Sequence, residues 1–80
     1  MKQSKEIRIN ARGLSNPGPR LMVENALENG PPEMLRVVVS NVEALDDLRS
    51  YFTEMGAPFE TDQIGDDYHI QVDLTAQKGR

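Results

Sequence analysis

The stretch Glu6-Ile7-Arg8-Ile9-Asn10-Ala11-Arg12-Gly13-Leu14-Ser15-Asn16-Pro17-Gly18-Pro19 decides how the chain starts to fold. Glu6 to Asn10 alternates polar and apolar side chains, which predicts a strand with one buried face. Ala11 to Asn16 reads as a loop around Gly13. Pro17 and Pro19 then open a helix running to about Asn29, because proline is tolerated in a first turn whose amides have no intrahelical partner. Asn16 falls at the N-cap of that helix, where its side-chain oxygen would accept an otherwise unpaired amide. On that reading Asn16→Ala costs about 1 kcal/mol. Met22, Val23, Ala26 and Leu27 recur at helical spacing and are expected to face the core. Gly30 with Pro31 and Pro32 ends the helix.

Further along, Met34-Leu35-Arg36-Val37-Val38-Val39 is rich in β-branched residues and reads as a central strand. Ser40 followed by Glu43 fits a capping box, with Asn41 as a competing cap. Leu45, Leu48, Phe52 and Met55 then form an apolar stripe, closed by Gly56, that reads as core. Pro58 to Gln63 is a weak strand suited to a sheet edge, since proline cannot donate to a ladder. Gly65-Asp66 turns it back into Tyr68 to Leu74, where Tyr68, Ile70, Val72 and Leu74 share one face. The order is therefore βαβαββ, an α+β fold. It predicts a two-layer α/β sandwich with two helices on one face of a mixed four-stranded sheet, the other face left to solvent or a partner.

Eighty residues suit a single domain over 1–80, ordered from about 5 to 75 between polar tails. The last residues, Thr75 to Arg80, read equally as a frayed end or as the start of a linker. Thirteen acidic side chains against nine basic ones give a formal charge of −4, which opposes general binding to a phosphate backbone. With no cysteine, disulfides, thiolate nucleophiles and the usual zinc sites are excluded together, and no metal or cofactor is expected. No apolar run reaches membrane-span length and none follows the basic start, so neither a membrane segment nor a signal peptide is expected and cytoplasm is the default. His69, the single histidine, alternates outward from Tyr68 and Ile70 as an ordinary surface residue. Glu43, Asp46 and Asp47 suit the positive end of a helix dipole better than a metal.

The segment Asn10-Ala11-Arg12-Gly13-Leu14-Ser15-Asn16-Pro17-Gly18-Pro19 resembles the Asp-x-x-Gly-x-x-Cys-Pro-x-Pro loop of TusA/SirA-like sulfur carriers, which include the YedF-type proteins associated with selenium metabolism. Leu21-Met22-Val23, the pattern Ala44…Asp47-Leu48…Phe52…Gly56 and the closing hairpin are also similar, so the resemblance spans Glu6 to Leu74. Two departures stand out: Asn16 occupies the place of the family's cysteine, and Asn10 that of its loop aspartate. In the family the thiol sits at a helix N-terminus, whose dipole favours the thiolate that carries a persulfide. An amide there cannot hold one.

The resemblance therefore implies a protein of sulfur or selenium metabolism without sulfurtransferase activity of its own. It would bind a protein partner of such a relay, or a small anion, around Arg12, Gly13, Asn16, Pro17, Gly18, Pro19 and Arg20, with Arg12, Asn16, Gly18 and Arg20 exposed beside free amides. No catalytic residue is expected, and the chain would be a monomer or weak dimer. A second reading is an active sulfur carrier whose cysteine has been mutated to Asn16. A third is an RNA-binding domain using Arg8 and Arg36 on the open sheet face, because the βαβαββ layout also resembles the C-terminal domain of a translation initiation factor. Two arginines and a net negative charge speak against nucleic acid.

Overall fold

The computed structural model describes residues 5–28 and 30–75, so Asn29 and the polar tails lie outside the described residues. The elements are β1 (Glu6–Asn10), α1 (Gly18–Glu28), β2 (Met34–Val39), α2 (Val42–Met55), β3 (Phe59–Ile64) and β4 (Asp67–Asp73). The sheet order is β1-β2-β4-β3. β1 runs parallel to β2, and the β2–β4 and β3–β4 pairs are antiparallel, so the sheet is mixed.

β2 is central because its sequence can be covered on one side and half-covered on the other. Leu35, Val37 and Val39 are fully buried, while Met34, Arg36 and Val38 alternate onto the open face. Ile70 and Val72 of β4 continue the buried surface, with Tyr68 and Leu74 packed at its margin. β3 is the edge strand expected from its polar Glu60-Thr61-Asp62-Gln63 run, and only Phe59 is partly covered. Pro58 stays outside β3, and its carbonyl accepts the amide of Asp73 at 3.0 Å.

Both helices lie on one face. α2 contributes Ala44, Leu45, Leu48 and Phe52, and the Phe52 ring meets Phe59 at 6.1 Å between centroids. Met55, the last member of the expected stripe, is half-buried. α1 contributes less: Pro19 and Val23 are buried, and Ala26 and Leu27 are half-buried. Met22 does not join them and is 39% exposed. With Pro19 and Val23, four apart, fixing the inward face, Met22 falls on its flank.

Asn41 wins the contest to cap α2, its Oδ1 accepting the Ala44 amide at 2.8 Å. Ser40 is diverted, because its Oγ accepts the amide of Gly13 at 2.8 Å. At the other end Gly56 sits at φ 80°, ψ 18°, a left-handed conformation that glycine adopts without steric cost. The Ala57 amide then reaches back to Phe52 O at 3.1 Å, which closes the helix.

Candidate functional site

The β1–α1 loop starts where Ala11, fully buried, extends the β1–β2 pairing by donating its amide to Val38 O at 2.8 Å. The chain then reverses at Gly13, whose φ of 81° suits glycine. Three bonds lash this loop to the start of α2. Gly13 N donates to Ser40 Oγ at 2.8 Å, Asn41 Nδ2 to Leu14 O at 3.3 Å, and Asn16 Nδ2 to Glu43 O at 3.4 Å. Each joins positions 27 apart, as does the ion pair from Arg20 to Asp47, so the two strand-to-helix junctions run side by side. Asn41 therefore serves two elements at once, capping α2 with its oxygen and tethering the loop with its nitrogen.

Asn16 does not cap α1. The first helical bond runs from Leu21 N to Pro17 O at 3.0 Å, which puts Pro17 at the N-cap. A four-residue turn about the cis Asn16–Pro17 peptide takes up the Gly18 amide, which donates to Ser15 O at 2.8 Å. Pro19 has no amide for a cap to accept. The first turn is thus left with little beyond the Arg20 amide, and the expected row of free amides at this helix start is not there.

Of the residues singled out by the sequence, Arg12, Gly13, Asn16 and Pro17 are exposed and lie together at the tip of the loop. Gly18 is half-buried, and Pro19 is fully buried beneath them. Arg12 is held by Asn10, whose Oδ1 accepts from both its backbone amide at 3.2 Å and its Nε at 3.1 Å, while Nη1 pairs with Asp67 at 3.1 Å. Arg20 is half-buried rather than free. It bonds Glu24 and Asp47 at 3.3 Å each and lies 4.8 Å above the centre of the Tyr51 ring, which clamps α1 to α2. Desolvation alone would lower its pKa, but the bonds and attraction of Glu24 and Asp47 outweigh this and raise it. Tyr51 is raised by burial first and by Glu24 next, so the ring under Arg20 stays a neutral phenol at ordinary pH.

The sequence reading missed the apolar rim of this tip. Leu14 is 37% exposed, Leu21 55% and Val42 51%, and the bonds from Asn41 to Leu14, Asn16 to Glu43 and Leu21 to Pro17 keep the backbone of all three near Asn16 and Pro17. Leu21 and Val42 directly follow Arg20 and Asn41, but helical spacing alone assigns them no face. Among the described residues no three His, Asp or Glu side chains converge as a metal-ligand group, and neither helix is long and apolar enough to cross a membrane.

The distinct roles of the two asparagines give a measurable contrast. Asn41→Ala is expected to cost about 1 kcal/mol as a lost cap, lowering the melting temperature by several degrees. Asn16→Ala, which removes one long exposed bond, is expected to stay within about 0.5 kcal/mol of the parent. Thermal unfolding followed by circular dichroism reads both. An equal loss from the two variants would restore Asn16 as a cap.

Fold and tip together define a small two-layer α+β domain that presents an exposed, partly apolar strand-to-helix loop. The family model described as sulfurtransferase TusA matches residues 7–73, and the chain belongs to that family. This makes it a sulfur-carrier-like protein. No match was found to a curated protein or to a solved structure.

Proposed function

We propose that the chain is a TusA-family domain in which Asn16 holds the place of the family's cysteine, and that it works by docking a protein partner of a sulfur or selenium relay without carrying sulfur itself. The chain contains no cysteine, so no residue can bear a persulfide. The observation that carries the docking role is the exposed apolar rim of Leu14, Leu21 and Val42 around Asn16, with Arg12 beside it. Exposed apolar groups gathered at one place, bordered by a cation, suit a protein surface. A protein partner fits this tip better than a small anion, because Pro17, Pro19 and the Ser15–Gly18 bond leave few amides to receive an anion. Pro19 and Arg20 then act from beneath as supports, one packed in the core and one clamping the helices. The relay is placed in the cytoplasm, and the domain acts as a monomer or weak dimer.

A cysteine desulfurase, the donor at the head of such a relay, is the direct probe. Titrating it into the labelled protein is expected to perturb the amide signals of Arg12, Leu14, Asn16, Leu21 and Val42. Leu21→Asp, on an exposed position that should not disturb folding, is expected to weaken the complex about tenfold. Perturbations confined to Arg8, Arg36, His69 and Gln71, with the loop silent, would overturn the reading.

A further inference from the structure

The open face of the sheet carries a concentration of cationic donors of its own. Parallel pairing sets Arg8 of β1 opposite Arg36 of β2, and antiparallel pairing sets Val38 beside His69. With Asn10 and the Arg12 that it holds, these side chains line a depression of about 360 Å³ whose lining, among the described residues, includes no carboxylate.

Like charges directly opposite on neighbouring strands repel. Glu6 offsets the repulsion only in part, since its Oε2 lies 3.3 Å from Arg8 Nε and 3.7 Å from Arg36 Nε and one carboxylate serves both. Asp67 serves Arg12. Within ion-pair distance, the three guanidinium groups of the depression thus meet two carboxylates among the described residues. Arg36 Nε is moreover buried without a hydrogen-bond partner among the described residues.

The geometry points to an oxyanion site in this depression, made by Arg8, Arg12, Arg36 and His69, that takes a small phosphate-type anion of multiple charge. Planar guanidinium forks match such oxygens in pairs, and several together discriminate multiply charged anions from chloride. The surroundings favour a small ligand over a nucleic-acid strand. Glu60 and Asp62 of β3 stand in register with Gln71 and His69, and Asp73 follows on β4, so a long polyanion would meet carboxylates as soon as it left the depression. Tyr68 and Phe59 are packed against the core, which leaves this face, among the described residues, a single small ring, His69, and no row of aromatic rings on which successive bases could stack.

Pyrophosphate at constant ionic strength is the probe, read by amide shifts and by the melting temperature. Saturable shifts at Arg8, Arg36, Val38 and His69 and a rise in melting temperature are expected. Arg36→Gln and, separately, Arg8→Gln are expected to weaken binding about tenfold, while Arg49→Gln on α2 leaves it unchanged. No saturable shift, an equal response to chloride, or parental binding by both sheet-face variants would overturn the site. Tighter binding of a single-stranded oligonucleotide than of pyrophosphate to this face would overturn the small-ligand assignment. The docking surface at Leu14, Leu21 and Val42 is read by different signals and a different probe, so either proposal can fail alone.

Discussion

Phe52→Ala is expected to remove most of the stability of the domain. Among the described residues Phe52 is the largest fully buried side chain, and it joins the last turns of α2 to the sheet through its contact with Phe59, while its helix neighbour Tyr51 lies 5.4 Å away between centroids. Truncating a buried phenylalanine costs about 3–5 kcal/mol, part lost transfer energy and part the cavity left behind. Here the cavity would be slow to collapse, because Leu48 sits one turn away on the same helix and Leu35, Val37, Ile70 and Val72 are fixed in the sheet. A chain of 80 residues is worth about 4–12 kcal/mol in all at typical stability per residue, so the loss is a large share of the total. Urea unfolding should show a midpoint far below that of Asn41→Ala, with an unchanged slope if both states stay two-state. A midpoint no lower than that of Asn41→Ala would mean that the core is not organised around Phe52.

The parts of the fold that were legible in the sequence are those whose information is periodic and local. β2 is rich in β-branched residues, β4 alternates, α2 repeats Leu45, Leu48 and Phe52 at helical spacing, and Gly56 stops it, so these elements are written in their own residues. α1 was legible as a helix, but its start was not. Residue preference puts an N-cap at Asn16, and Pro19 removes one of the two amides that a cap there could accept, which is visible in the sequence. The bond that commits the other, from Gly18 N to Ser15 O, is not. The anchoring of the loop was not, because Ser40, Asn41 and Glu43 reach it across 27 residues and Asp67 reaches Arg12 across 55. Arg20 shows both cases in one side chain: its pair with Glu24 follows from helical spacing, and its pair with Asp47 does not.

Asn16→Cys is expected to turn a protein that cannot carry sulfur into one that can. The site tolerates the change: Asn16 is exposed, caps nothing, and loses with its amide only a 3.4 Å bond to Glu43 O. The introduced thiol would stand beside the start of α1, whose dipole favours the thiolate. With the Gly18 amide already committed and none at Pro19, that help is weaker than at a helix start with free amides, so the thiol should need mildly alkaline conditions for full reactivity. The transfer itself needs no other residue of this chain. The thiolate attacks the outer sulfur of the persulfide on a cysteine desulfurase, a new S–S bond forms, the old one breaks, and the donor cysteine leaves as its thiolate. Intact-mass measurement after incubation with the desulfurase and its cysteine substrate should show one added sulfur on the variant, removed by reductant, and none on the parent. A small polysulfide reagent supplies the control. Labelling by the reagent but not by the enzyme would show a competent thiol on a surface that no longer docks the donor, and would count against the proposed docking role. Labelling by both would show that Asn16 is the one change separating this domain from a working carrier.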